Sequence, residues 1–222
     1  RDWSVTGVQT CALPIYAFLL PDRADLARWL AHVAATRVAL HGASDHLVSE
    51  AIYLADPEGN GIEVYADRPA GRWRTPTGVV RMATDPLDLQ NLLSSAEGTR
   101  WSGFPAGGCV GHVHLQVGDT EAADRFYRDV LGFDIAARYP GASFYGSGGY
   151  HHQLAGNTWN SRRARRRPAG MAGLDEVGIV VRGAASLDAT AARADAAGIT
   201  VERRAGTIAL RDPWGTRITL SA

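Results

Sequence analysis

Histidine and glutamate side chains fall on the polar faces of two predicted strands. The segment 112–117 alternates polar and apolar residues, so His112 and His114 share one face while valine and leucine share the other. A second short strand places Glu63 and Tyr65 opposite isoleucine and valine in the same way. The apolar faces are free to cover helices, so the polar faces are predicted to line a cavity. Imidazole and carboxylate groups on such faces are suited to hold a divalent metal ion.

Three other histidines are weaker candidates. His46 precedes a predicted strand, and the pair His151-His152 lies in a glycine-rich stretch. A strand through that stretch would point one member of the pair into the cavity, whereas a loop would leave both outside it. The alternative for His46 is a loop histidine bonded to local backbone. The alternative for the two histidines of the segment 112–117 is a polar cavity wall that binds no metal.

Internal repeats indicate which elements carry these residues. An Asp-Pro-x-Gly turn followed by an alternating strand occurs at 56–64 and again at 212–220. An amphipathic helix precedes each copy, and a middle copy joins the strand at 112–117 to a helix that carries Phe126 and Tyr127. We therefore predict an α+β fold of three units, each a strand, a helix and further strands. The units span 17–67, 110–158 and 172–222.

The composition argues against several classes of partner. The 23 basic and 23 acidic residues cancel, which removes any general attraction to nucleic acid or anionic membranes. No apolar run approaches the roughly 18 residues of a membrane-spanning helix. Five arginines cluster in the segment 160–170, but no aromatic residues are interleaved, which favours a solvated interdomain loop over a nucleic-acid patch. The segment 68–109, rich in proline, glycine and tryptophan, is predicted to be a linker.

The first residues do not resemble the rest of the chain. The stretch 5–15 matches the translation of a common short-read sequencing adapter, and the chain begins without methionine. We therefore exclude residues 1–16 from fold reasoning as an adapter-derived segment and its junction. Native sequence is expected from Tyr16 or Ala17 onward, which makes the chain a fragment.

The repeated units resemble those of the vicinal oxygen chelate superfamily, which includes glyoxalases, bleomycin-resistance proteins and extradiol dioxygenases. The shared features are the Gly111-His112 strand start, the Phe-Tyr helix, and the Asp-Pro-x-Gly turn followed by a glutamate. The segment 44–65 is similar specifically to the catechol 2,3-dioxygenase branch. The resemblance implies βαβββ units paired into cupped mixed sheets with helices outside. It also implies four units in two pairs, of which this chain would hold three.

The resemblance assigns roles to individual residues. Dioxygenases of this family hold Fe(II), or in some cases Mn(II), through two histidines and one glutamate. Glu63 falls on the glutamate position, one histidine is expected at or next to Tyr16, and the other belongs to the absent unit. His46 falls on the position of an acid–base histidine that moves the protons of the substrate. Tyr65, beside the glutamate, is expected to donate a hydrogen bond near the metal. With one ligand of three retained, the chain itself is expected to be inactive.

The last two units are expected to pair as a second domain, 110–222, after a truncated first domain, 17–67. In that arrangement Glu176 stands opposite His112, and Thr219 replaces the glutamate ligand, so the second domain is predicted to be structural. The alternative is a second metal site that uses His112, His114, His151 or His152.

The resulting hypothesis is an iron-dependent extradiol dioxygenase that cleaves a small aromatic diol with O2 in the cytoplasm. A homo-oligomer is compatible with it, through strand edges left exposed by an absent unit, and neither nucleic acid nor a membrane is expected as a partner. One alternative is a glyoxalase-like isomerase or lyase that uses Zn, Ni or Mn. Another is a metal-free protein that sequesters an aromatic or drug molecule in the cavity.

Overall fold

The computed structural model describes residues 14–96, 98–168 and 170–222. Most of the stretch attributed to the adapter, up to residue 13, lies outside these residues. Ile15 and Tyr16, excluded above from fold reasoning, form the start of the first strand. The origin of the first residues stays a prediction.

The first unit is a strand, a helix and three strands, as predicted. Its elements are β1 (Ile15–Leu20), α1 (Arg23–Ala35), β2 (Gly42–Asp45), β3 (Ser49–Ala55) and β4 (Gly61–Asp67). Helix α1 begins after Asp22, whose carboxylate accepts a hydrogen bond of 2.8 Å from the backbone N–H of Asp25. Its buried face carries leucine and valine at helical spacing, which confirms the predicted amphipathic helix.

A connector and the middle unit follow. The connector contains the two-residue strand β5 (Asp85–Pro86), the short helix α2 (Leu89–Leu93) and two 3₁₀ turns. The middle unit contains β6 (Cys109–Gln116), α3 (Thr120–Asp124) with a π-helical continuation (Arg125–Val130), β7 (Asp134–Tyr139), β8 (Ala142–Gly146) and β9 (Leu154–Asn157). Asp119 caps α3 by accepting from two backbone N–H groups, as its position before the helix predicts.

The last unit repeats the same order of elements. They are β10 (Glu176–Val180), α4 (Ala184–Ala196), β11 (Glu202–Arg204), β12 (Thr207–Arg211) and β13 (Arg217–Ser221). Its first strand runs parallel to its last, as in the other two units. Thr219 is the cross-strand partner of Gly178, just as Glu63 is the partner of Ala17, so the repeat alignment that matched Thr219 with Glu63 is confirmed.

The first and middle units share one curled sheet. This nine-stranded sheet has the order β5-β2-β3-β4-β1-β6-β9-β8-β7, and the last unit forms a separate sheet of four strands, β10-β13-β12-β11. The junction is the antiparallel pair β1–β6, in which Tyr16 lies opposite Val113 and Ala17 opposite His112. The expected pairing of the middle unit with the last one is therefore wrong. Each of the three units begins with a strand of five to eight residues, and no local pattern in these strands selects between partners.

The last unit packs on the middle unit through helices instead. One core cluster includes buried residues of β6, α3, its π-helical continuation, α4 and the four-stranded sheet. The hydroxyl of Tyr127 donates a hydrogen bond of 2.8 Å to Asp212, and the guanidinium of Arg193 donates one of 2.9 Å to the carbonyl of Val130. In the described part of the chain, no helix has the length and apolar character needed to cross a membrane.

We expect the β1–β6 junction to be sensitive to any side chain at Gly111. A Cβ atom at this position would overlap the hydroxyl of Tyr65 and would lie 2.8 Å from Cβ of Leu19. Gly111→Ala is therefore expected to lower the free energy of unfolding by about 1–3 kcal/mol, measured by urea denaturation. Gly42→Ala in β2 is the matched control, because a Cβ atom there would have no neighbour within 4 Å. Equal stability of the two variants would contradict the packing at this junction.

Candidate metal centre

A cavity of about 340 Å³ lies on the concave face of the nine-stranded sheet, where the first and middle units meet. Its polar lining residues include His46, Tyr53, Glu63, His112, His114 and His152. Its apolar walls include Ile15, Val79, Val80, Met82, Phe144 and Trp159. A wider cleft of about 590 Å³ beside β10 reaches only His112 of this polar group. The polar side chains that could bind a metal or accept a proton therefore line the smaller cavity.

Glu63 and His112 come from strands on either side of β1. Ala17 of β1 is the cross-strand partner of Glu63 in β4 and of His112 in β6, so all three side chains lie on the same face. The small alanine between them lets the carboxylate Oε2 and the imidazole Nε2 approach to 3.3 Å. Both residues are only 2% exposed.

Two further histidines complete the cluster. His114 follows His112 on the same face of β6, and His152 precedes β9. Their Nε2 atoms lie 3.2 Å apart, and one ligand atom from each of His112, His114 and His152 falls within 4.8 Å of the others. The polar face predicted for β6 is thus observed, and one member of the 151–152 pair points into the cavity.

The electrostatics of the cluster favour an ionised carboxylate at Glu63 and neutral imidazoles at His114 and His152. Burial opposes ionisation of Glu63, but the neighbouring His112 more than offsets it and lowers the pKa of the carboxyl to about 2. Burial, together with repulsion from His112, lowers the pKa of His114 to about 3 and that of His152 well below its usual value. At neutral pH both of these imidazoles therefore have a lone pair available for a metal.

The residues present fit a divalent transition metal. Nδ1 of His112 is buried and has no hydrogen-bond partner, which is an uncommon state for a buried polar atom. Imidazole nitrogen with one carboxylate oxygen is the donor set that Fe(II), Mn(II) and Zn(II) accept in proteins. The cluster supplies both kinds of donor within a few ångströms.

His46 lines the same cavity and is paired with a tyrosine. Its Nδ1 lies 2.7 Å from the carbonyl of Ala83, and its Nε2 lies 2.6 Å from the hydroxyl of Tyr53. Because a carbonyl only accepts, Nδ1 donates to Ala83, while Nε2 shares a hydrogen bond with the tyrosine hydroxyl. Burial, reinforced by the charge of Glu63, raises the pKa of Tyr53, so its hydroxyl stays a donor.

Tyr53 is a cavity residue that the sequence analysis does not single out. It is the cross-strand partner of Glu63, and the alternation of β3 against β4 is the signal that points to it. Tyr65 lies instead behind the cluster, with its ring centroid 4.7 Å from that of His112. Its hydroxyl is 3.0 Å from the hydroxyl of Tyr150, and Tyr65 is absent from the cavity lining, so the expected donor beside Glu63 is not observed there.

The expected facing of His112 and Glu176 is wrong. Glu176 lies in β10 of the other sheet, where its carboxylate pairs with Arg217 at 3.3 Å. His112, His114 and His152, considered above for a second site, instead join Glu63 in a single cluster. The reason is the β1–β6 pairing, which brings the polar face of the middle unit against that of the first.

The first and middle units repeat the same order of elements, so the residue of the first unit that is equivalent to His112 can be identified. Each of Ile15 and His112 lies in the first strand of its unit, seven positions before the aspartate that caps the next helix, so Ile15 in β1 corresponds to His112 in β6. Ile15 lines the cavity. A histidine was expected at or next to Tyr16, and the structure has an isoleucine on the cavity wall at the adjacent position.

We expect acid to destabilise the metal-free chain. The pKa of His114 is about 3 in the folded chain, below the roughly 6.5 of an unfolded histidine. Between these values the unfolded chain binds more protons, so the free energy of unfolding decreases as the pH falls. Urea unfolding with a chelator, between about pH 7.5 and 5, measures this slope.

The slope is expected to flatten in His114→Asn, which removes the group, and to persist in His32→Asn, a change at an exposed position of α1. The groups that face His114 are His112, His152 and Glu63. A wild-type slope that His114→Asn leaves unchanged would show that this histidine is not held neutral.

Comparison with known proteins places the chain in a family. The sequence profile of the Glyoxalase/Bleomycin resistance protein/Dioxygenase superfamily matches residues 110–220. Over 213 residues the chain is 42% identical to a catechol-2,3-dioxygenase of Bacillus subtilis (strain 168), an alignment that covers 95% of this chain and 73% of that protein.

Solved structures show the same fold at low sequence identity. A proposed dioxygenase from Bacillus subtilis subsp. subtilis str. 168 superposes with a TM-score of 0.59 at 11% identity, covering 97% of this chain and 62% of that one. Glyoxalase I from Zea mays superposes with a TM-score of 0.52 at 16% identity, covering 93% of this chain and 66% of that one. The chain thus belongs to the glyoxalase, bleomycin resistance protein and dioxygenase superfamily, as its repeated βαβββ units and the family match together establish.

Proposed function

We propose that the cavity is the active site of a non-haem Fe(II) extradiol dioxygenase that opens the ring of a catechol-type diol with O2. The observation that carries the proposal is the cluster itself, a buried carboxylate beside three histidines, with the His46–Tyr53 pair lining the same cavity. The 42% identical relative is named a catechol-2,3-dioxygenase, which supports the same chemistry. Mn(II) is the alternative metal.

Glu63 and His112 would hold the metal, with His114 and His152 as further nitrogen donors. When bound, Fe(II) supplies open coordination positions for a catecholate and for O2. The negative charge of Glu63 favours binding of a cation in a site from which water is largely excluded, because all four residues are mostly buried.

His46 is placed to accept a proton from the diol. Its Nε2 is hydrogen-bonded to the hydroxyl of Tyr53, and a substrate hydroxyl can take over that contact. The carbonyl of Ala83 holds the opposite nitrogen, which keeps the ring orientation and stabilises the imidazolium formed. Tyr53 then remains beside it as a neutral donor towards the substrate oxygens.

The apolar walls select for an aromatic ring and exclude water. Val80, Met82 and Phe144 line the cavity on the sides away from the polar cluster. Such a lining binds a planar apolar ring while the few polar groups fix its orientation. The fit supports a small aromatic diol as the substrate class.

We expect Ile15→His to strengthen the binding of iron in the cavity. The side chain enters the cavity at the position that corresponds to His112, so an imidazole there adds a nitrogen ligand. Iron affinity, measured anaerobically by chelator competition, is expected to rise by about 10-fold or more. Ring cleavage of catechols, followed by the yellow product, is expected to be low in the original chain and clearly higher in this variant.

Glu63→Gln, added to Ile15→His, should remove the gain in iron affinity and the gain in ring cleavage. Glu176→Gln should leave both gains intact, because Glu176 lies in the other sheet. If the iron-loaded Ile15→His chain cleaves no catechol, the dioxygenase proposal fails.

O2-independent turnover with Zn or Ni would favour a glyoxalase-like isomerase or lyase. Tight binding of an aromatic ligand that survives chelation and Glu63→Ala would favour the metal-free binding protein.

We expect His46→Gln to lower turnover without changing the binding of metal. The glutamine retains a hydrogen-bonding group but not the proton-accepting nitrogen, so turnover should fall by about 10²–10⁴-fold while iron content stays unchanged. The matched control is His41→Gln, outside the cavity lining. Retained turnover in His46→Gln would remove His46 from the proton transfer.

A further inference from the structure

A line of hydrogen-bonded groups leads from the metal cluster to a carboxylate at the end of β4. His152 faces the cluster, and the adjacent His151 turns the other way, towards Asp67. His151 is fully buried and His152 is 4% exposed. The side chain of Asp67 is 22% exposed, so it is the member nearest to solvent. The proposed function does not use His151 or Asp67.

The distances make the line continuous. Oδ1 of Asp67 lies 2.8 Å from Nε2 of His151, and Nδ1 of His151 lies 2.9 Å from Nδ1 of His152. Nε2 of His152 lies 3.2 Å from Nε2 of His114 in the cluster. Each contact is within hydrogen-bonding range, and no atom takes part in more than one of them.

The hydrogen-bonding capacities fix where the protons lie. A carboxylate only accepts, so His151 must donate from Nε2 to Asp67. In a neutral ring Nδ1 of His151 then carries the lone pair and accepts from Nδ1 of His152. His152 is thereby left with its lone pair on Nε2, directed at the cluster. Both rings are buried, and burial favours the neutral form of an imidazole.

Packing holds the rings in this arrangement. The ring of Tyr150 stacks on that of His151 with centroids 4.2 Å apart, and the edge of Trp73 contacts it at 5.0 Å. The hydroxyl of Tyr150 donates a bond of 2.9 Å to the second oxygen of Asp67, which orients the carboxylate. The opposite tautomers would set two N–H groups against each other or leave a lone pair against the carboxylate, an arrangement that leaves buried polar groups unpaired.

We propose that Asp67 is a positioning residue that acts through His151 to fix the tautomer of His152, so that the Nε2 lone pair of His152 points into the metal cluster. The tautomer assignment stands on the contacts of the metal-free chain. Its consequence for metal binding rests on the function proposed above. Asp67 touches neither metal nor substrate, and its effect is carried by the two histidine rings.

The tautomers can be read directly by two-bond ¹H–¹⁵N NMR of the metal-free, ¹⁵N-labelled chain. In the original chain we expect His152 to be protonated at Nδ1 and His151 at Nε2. Asp67→Leu removes the acceptor and should give mixed tautomers at both rings, whereas Asp67→Asn keeps an acceptor oxygen and should retain them. Protonation of His152 at Nε2 in the original chain overturns the proposal, and this measurement does not depend on whether a variant folds.

Binding of Co(II), measured by chelator competition and by its visible absorption, tests the consequence. Asp67→Leu is expected to weaken binding about 10–100-fold and to change the absorption bands, with Asp67→Asn close to the original chain. Asp129→Leu is the matched control, since it removes a carboxylate on an exposed helical surface. If the original chain binds Co(II) and Asp67→Leu binds it equally well with unchanged spectra, the positioning role is rejected. If the original chain binds no metal at all, the proposed function fails, while the tautomer measurement still decides the hydrogen-bonding part of the inference.

Discussion

The pairing of β1 with β6 is the contact on which the cavity depends. β1 lies between β4 and β6, and its Ala17 is the cross-strand partner of Glu63 on one side and of His112 on the other. A methyl group is small enough for the carboxylate and the imidazole to meet above it at 3.3 Å. Without this pairing the carboxylate of the first unit and the histidines of the middle unit would not meet, and neither unit alone would assemble a ligand set.

Burying several polar groups in one place is costly unless each has a partner. Glu63 offsets its desolvation through His112, and His46 divides its two nitrogens between a backbone carbonyl and Tyr53. Asp67 is in turn the hydrogen-bond partner of His151, which lies behind the cluster. The cavity therefore has a defined proton arrangement, which is the condition under which neutral imidazoles present lone pairs to a cation.

The last unit shows that the fold does not by itself provide the chemistry. It has the same order of strands and helix, yet Thr219 stands where Glu63 does, and Glu176 is neutralised by Arg217. Its apolar face is used to pack helix α4 against the middle unit, in the largest core cluster of the described residues. The repeated unit supplies a framework, and the functional groups occur only where two polar faces with the right residues meet.

The local features of this protein follow from its sequence. Period-two alternation defines the polar faces of β4 and β6, the Asp-Pro-x-Gly repeat locates the units, and Asp22 and Asp119 mark helix starts. Each of these depends on residues a few positions apart, whose geometry the backbone itself determines. Glu63 could be singled out in this way, and so could the four histidines of the cavity.

The tertiary structure decided which of these residues meet. Each of the three units has a first strand that could pair with another unit. The pairing of β1 with β6 depends on packing between residues about a hundred positions apart, and no local sequence pattern predicts such packing. This choice joined Glu63 to His112, placed the ring of Tyr65 against that of His112, and connected Asp67 to His152 through His151. The sequence determined the chemical groups and the strand faces that carry them, and long-range strand pairing determined the site.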